Sequence, residues 1–141
     1  MSESTFHTGL ADDLAENIVR VARTTLGDTL RSTVAFTPAE FDVLYVRRDL
    51  YDSPEAARAA KWRLVSFERV GFAEAPVRDA SADAEPSSIG PYEFTVRFHE
   101  DGYVARVLEG SVGVLLTTDA MDVDGFADAA AAIQRLLADD G

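Results

Sequence analysis

Two histidines, no cysteine and thirteen basic residues, of which only Lys61 is a lysine, limit the chemistry open to this 141-residue chain. His7 lies in a polar N-terminal stretch and His99 beside an Asp-Gly dipeptide, so neither has a second histidine at metal-ligand spacing. His99, Glu100 and Asp101 would alternate between the two faces of a strand rather than converge on one ion. His99 reads as an exposed strand-end residue, with a general-base role as the sharper alternative. Without cysteine there are no disulfides, thiolate metal sites or thiol nucleophiles. Asp119, Asp122 and Asp124 approach calcium-loop spacing, but the glycine and distal glutamate of such a loop are not in place, and acidic residues at a helix start are explained by capping. The sequence holds no glycine-rich phosphate loop, nucleophile elbow or paired-histidine helix. No catalytic residue, metal site or cofactor is expected.

One constellation stands out. If Asp101-Gly102 forms a hairpin turn, Arg97 faces Arg106 directly across a strand pair, with His99 opposite Val104. Opposed like charges are unfavourable unless something negative lies between them. It could be a carboxylate of the same chain, from an acidic loop or Glu93. It could be a second chain, because Leu108 and Leu115 share that face and arginine beside aliphatic side chains is a common interface composition. It could also be a phosphate-bearing small ligand held by both guanidinium groups.

The elements that must position these residues follow from periodicity. Leu10, Leu14, Ile18, Val21 and Thr25 recur at helical spacing and Gly27 ends the run. Residues 30–36 alternate as a half-buried strand. Thr37-Pro38-Ala39-Glu40 has the form of a capping box, which predicts a helix to about 49 with Phe41, Leu44 and Tyr45 inward. Ser53-Pro54-Glu55 opens another helix, ending near Gly71. Residues 76–91 turn to Ala, Ser, Asp, Glu and Pro and are expected to be a mobile acidic loop. Period two returns from Tyr92, with Phe94, Val96 and Phe98 alternating with Glu93, Thr95, Arg97 and His99 before Asp101-Gly102, and further strands run over 103–109 and 112–117 with a second turn at Gly110-Ser111. Phe94, Val96, Phe98, Tyr103, Ala105, Val107, Val112, Val114 and Leu116 form the expected core face. Thr95, Arg97, His99, Val104, Arg106, Leu108 and Leu115 form the opposite one. A last helix begins around 122–124 and turns Phe126, Ala130, Ile133, Leu136 and Leu137 inward.

The predicted order is α-β-α-α-β-β-β-α in a single α+β domain over 1–141. Its antiparallel sheet has about four strands, one N-terminal strand plus a three-stranded meander, with helices mainly on one face. The order approaches that of roadblock and profilin-like modules, which usually place two strands between the first helices where this reading finds one.

Carboxylates outnumber basic groups 25 to 13, for a net charge of -12. Such a surface keeps a protein soluble but repels itself, a strain relieved where counterions are concentrated. With a single lysine and a pI near 4.4, the composition points to an extreme halophile's cytoplasm, the alternative being an acidic mesophilic protein, which would usually keep several lysines. Clustered Lys and Arg for phosphate contacts are missing, so nucleic acid is an unlikely partner. No apolar run approaches the roughly 20 residues of a membrane span.

Several short stretches resemble a group of short, acidic haloarchaeal single-domain proteins of unknown function. They are Thr24-Thr25-Leu26-Gly27-Asp28 with Leu30-Arg31, Tyr45-Val46-Arg47 with Asp49-Leu50, Gly90 with Tyr92 and Phe94, and Gly102-Tyr103 with Arg106. The resemblance implies a habitat and a small domain, and carries over no catalytic residue. The first functional expectation is a noncatalytic interaction or regulatory module, dimeric or bound to another protein through the exposed sheet face that carries Arg97, Arg106, His99, Leu108 and Leu115. The alternative is an anion or small-molecule sensor, or a small enzyme, using Arg97, Arg106, His99 and Tyr45. A DNA-associated regulator is the weakest reading, because no recognition helix rich in Arg, Asn or Gln is visible.

Overall fold

The computed structural model describes residues 6–84 and 89–140. Helix α1 (Asp12–Leu26) leads through a short 3-10 turn into strands β1 (Leu30–Phe36) and β2 (Phe41–Val46). Helices α2 (Pro54–Glu68) and α3 (Val70–Ala84) follow, then strands β3 (Thr95–His99), β4 (Gly102–Glu109) and β5 (Val112–Thr118), and finally α4 (Val123–Asp140). The strands form one antiparallel sheet in the order β2-β1-β5-β4-β3. The α+β antiparallel architecture expected from the sequence holds, with five strands instead of about four.

The fifth strand is the segment expected as a helix from 37 to 49. Thr37 Oγ1 accepts the Ala39 and Glu40 amides at 3.3 and 3.0 Å, which is the bonding expected of a helix cap. The Thr37 amide, however, donates to the Glu40 carbonyl at 2.8 Å, and Phe36 pairs with Phe41. The four residues close a hairpin. A Thr hydroxyl satisfies amides two and three residues on equally well in a turn or a first helical turn, so the local signal cannot separate them. The register shift after Thr33 leaves Leu44 as an extra residue in β2, so the neighbours Leu44 and Tyr45 both pack toward the α1 side and mimic helical spacing.

Ser53 caps α2 as expected, accepting the Ala56 amide at 3.0 Å, with Pro54 at the first helical position. The helix stops at Glu68 and α3 starts two residues later. Helix α3 runs through Pro76 to Ala84, so the first part of the expected 76–91 loop is helical, while residues 85–88 lie outside the described residues.

Helices cover both faces of the sheet, not mainly one. Leu14, Ile18, Ala22 and Leu26 of α1 and Phe126, Ala129, Ile133 and Leu137 of α4 close one cluster over Ala35, Ala105, Val107, Val114 and Leu116. On the other face, Val65 of α2 and Phe72 of α3 pack with Val34, Phe36, Phe41, Val104 and Leu115. Phe98, expected in the core, is instead 74% exposed and packs edge-on to Tyr103.

Candidate interaction site

The hairpin joining β3 and β4 turns at Glu100-Asp101, and Gly102 pairs with His99 inside the ladder. Gly102 belongs in the strand because a Cβ there would meet the Thr118 carbonyl oxygen at 2.5 Å. This moves the expected register by two residues and keeps every side chain on its expected face. Arg97 therefore pairs with Val104 and Arg106 with Thr95, so the two arginines are diagonal neighbours rather than directly opposed.

Their counterion comes from α2. Glu68 Oε2 accepts from Arg97 Nε at 2.7 Å, and its Oε1 accepts from Arg106 Nη1 at 3.1 Å. Arg106 Nη2 also donates to Glu74 of α3 at 3.0 Å and to Thr95 Oγ1 at 3.1 Å. Glu68 and Arg106 are both buried. Burial by itself would lower the Arg106 pKa, but bonds to Tyr92 and Glu74 and the charge of Glu68 outweigh it and hold it above the ordinary value. Helix α3 can lie against this guanidinium because residue 71 is glycine: a Cβ there would stand 2.6 Å from Arg106 Cζ.

The sheet face expected to be an open interface is thus the seat of α2 and α3. Leu115 is fully buried there and Leu108 packs partly against the same cluster. Arg106 is engaged internally, which withdraws it from the expected interface and from a shared phosphate. Arg97 and His99 stay accessible. The expected internal carboxylate is thus present, and among the described residues it is Glu68, with Glu74 beside it, and not Glu93; alternation along a strand carries no information about which helix crosses that face.

The accessible remainder of the site is the edge strand β3. At the opposite edge, the Phe41 carbonyl of β2 accepts from Arg58 Nη1 at 2.6 Å, with the guanidinium 3.9 Å from the Phe41 ring centre. Asp42 in that strand accepts the His7 and Thr8 amides at 3.0 and 2.8 Å. Strand β3 has β4 on one side and, among the described residues, no strand on the other. Exposed rings lie on both sides of it: Phe67, with Arg97 Cζ 4.8 Å from its centre, on the α2 side, and Phe98 on the other. The exposed Val77 of α3 lines a shallow cavity together with Thr95. An edge strand between apolar groups is a template for strand pairing.

A family model described as a domain of unknown function, DUF7522, matches residues 16–138. The chain belongs to the DUF7522 family. No curated protein matches the sequence. Among solved structures, "MglB with tetrameric arrangement" superposes with a TM-score of 0.53 at 18% identity, covering 97% of this chain and 98% of that one. The likeness shows the fold, which is roadblock-like as the element order suggested. The second strand between α1 and α2, missing from the sequence reading, is β2. Among the described residues of this DUF7522 chain, no helix is long and apolar enough to cross a membrane.

Proposed function

We propose that this DUF7522 chain is a noncatalytic interaction module that self-associates through β3, two copies joining their edge strands into one sheet. The observation that carries the reading is the β3 edge, which among the described residues has no strand beyond it, with Phe67 and Phe98 exposed beside it, while the β2 edge is engaged by Arg58. Strand addition supplies main-chain hydrogen bonds, and the flanking rings supply apolar area and selectivity. A pairing of identical edges about a two-fold axis closes on itself and yields a discrete assembly. The tetrameric arrangement of the MglB chain with the same fold supports self-association. A net charge of -12 on each copy opposes it at low salt, so the composition fits a module working in the salt-rich cytoplasm of a halophile.

Light scattering across micromolar concentrations, in dilute and in molar potassium chloride, tests the proposal. Wild type should be a dimer or a higher even-numbered oligomer that tightens with salt. Phe67→Glu with Phe98→Glu should shift it to monomer with an unchanged circular dichroism spectrum. A wild type that stays monomeric in both salts overturns the reading.

A further inference from the structure

The α2/α3 side holds a further charged group, and among the described residues no ion pair joins it to a carboxylate. Lys61 of α2, the only lysine in the chain, is 6% exposed. Among the described residues no carboxylate pairs with it, and its recorded neighbours are the Tyr51 ring, 5.6 Å from Nζ, and the cationic Arg31. An ammonium taken from water without a partner is costly, and in a chain with 25 carboxylates a partner is easily supplied. Burial, and secondarily the charge of Arg31, push its pKa down to about 8. Lys61 lines a cavity of about 360 Å³, within the size range of small-ligand pockets.

We propose that this cavity binds a small organic carboxylate whose negative group meets Lys61 and whose apolar part packs on Leu64 and Val104. The charges around it select the ligand class. Arg31 contributes a second cation, but its Nη1 is already engaged by Asp119 at 2.8 Å. Glu100 and Asp101, from the β3–β4 turn, also line the cavity and disfavour a doubly charged anion such as phosphate, while His99 adds a ring from β3. The cavity's size and its apolar walls favour an organic acid over a bare halide. The Thr117 hydroxyl, bonded to Ser32, lines the same cavity and adds a polar contact.

Because Lys61 is unique, protein labelled with ¹³C at lysine Cε gives one side-chain signal that reports this site alone. The expected result is a Lys61 titration well below the ordinary lysine value without ligand, moving up by a unit or more with millimolar propionate or benzoate. Both acids should also raise the melting temperature of wild type. Sodium phosphate and sodium chloride at matched ionic strength should do neither. Lys61→Met, of similar length and uncharged, should lose the carboxylate-dependent rise in melting temperature. The proposal is overturned if Lys61 titrates at its ordinary value in the ligand-free protein, if neither carboxylate moves its signal, or if phosphate or chloride moves it equally. The wild-type titration decides the matter even if Lys61→Met fails to fold.

Discussion

The two faces of the sheet are buried by different means. Under α1 and α4 the packing is mainly aliphatic and aromatic, built from residues such as Ile18, Leu26, Phe126 and Ile133 with the uncharged Thr33 and Thr118 among them, and its tolerances are those of shape and volume. Under α2 and α3 the same sheet buries Ser32, Thr117, Lys61, Glu68 and Arg106 beside Val34, Phe36, Val65 and Leu115. Apolar contact is non-directional, whereas each buried charge needs its partner at a particular distance. The second face therefore specifies where α2 and α3 sit: Glu68 bonds two arginines of different strands, and Arg69 Nε donates to the Thr37 carbonyl of the β1–β2 turn at 3.0 Å. Position is specified there at some expense of stability.

The largest break in this comparison should come from Glu68→Ala. Among the described residues it leaves buried Arg106 with the partly exposed Glu74 as its one carboxylate, and removing one member of a buried ion pair costs about 3–5 kcal/mol. Urea unfolding followed by circular dichroism measures it. Replacing the set together, Glu68→Leu with Arg97→Leu and Arg106→Met, should recover most of that loss, since a well-packed apolar replacement of a buried ion pair is often neutral or better. Ile133→Ala on the opposite face should cost about 3 kcal/mol through a cavity, and no second substitution of charge should restore it. Equal recovery on both faces would abolish the distinction.

Lys61 gives a pH signature that the apolar face lacks. Its folded pKa, about 8, lies below the ordinary lysine value of 10.5, so between those values the unfolded chain holds a proton that the folded chain has released. Raising the pH through that window therefore favours folding. Thermal melts of wild type and Lys61→Met across it should differ in slope, with the rise attributable to Lys61 absent from the variant. Identical slopes would remove Lys61 from the account.

The smallest effect belongs to a surface clasp at the end of the sheet. Asp119 accepts from Arg31 at 2.8 Å and Arg47 at 2.5 Å, and these bonds hold its pKa below the usual carboxylate value, Arg47 contributing most. Its stabilising contribution is present at neutral pH and lost as the pH falls through the carboxylate range. Because the group is partly exposed, Asp119→Asn should cost no more than about 1 kcal/mol, and less in molar salt. A cost on the scale of Glu68→Ala would mean that the clasp organises the fold as the buried charges do. Asp28, Arg31, Arg47 and Asp49, all within the stretches that suggested a family resemblance, meet at this clasp, where Arg47 also donates to the Asp28 carbonyl and to Asp49.

Much of the fold was legible because its determinants are local. The apolar stripe of α1, the Ser53 cap and Pro54 of α2, and the alternation of β4 and β5 about Gly110-Ser111 each lie within one stretch of chain. Local chemistry failed where two structures satisfy it equally. Thr37 makes the same bonds in a hairpin turn as in a helix cap, and only the pairing of Phe36 with Phe41 separates the two. The Asp101-Gly102 dipeptide suits a turn, yet Gly102 is required in the ladder by the Thr118 carbonyl of a third strand. Phe98 alternates as a core residue would, but β3 is an edge, and strand order leaves no trace in alternation.

The sequence by itself determined that Arg97 and Arg106 share a sheet face and need a negative partner, because side-chain alternation and Coulomb repulsion depend only on spacing and charge. That the partner is Glu68 was decided by tertiary structure, since it depends on α2 crossing to that face, as did the burial of Leu115 and the isolation of Lys61. Pairing and burial join residues far apart in sequence, and their energies arise only when the layers meet.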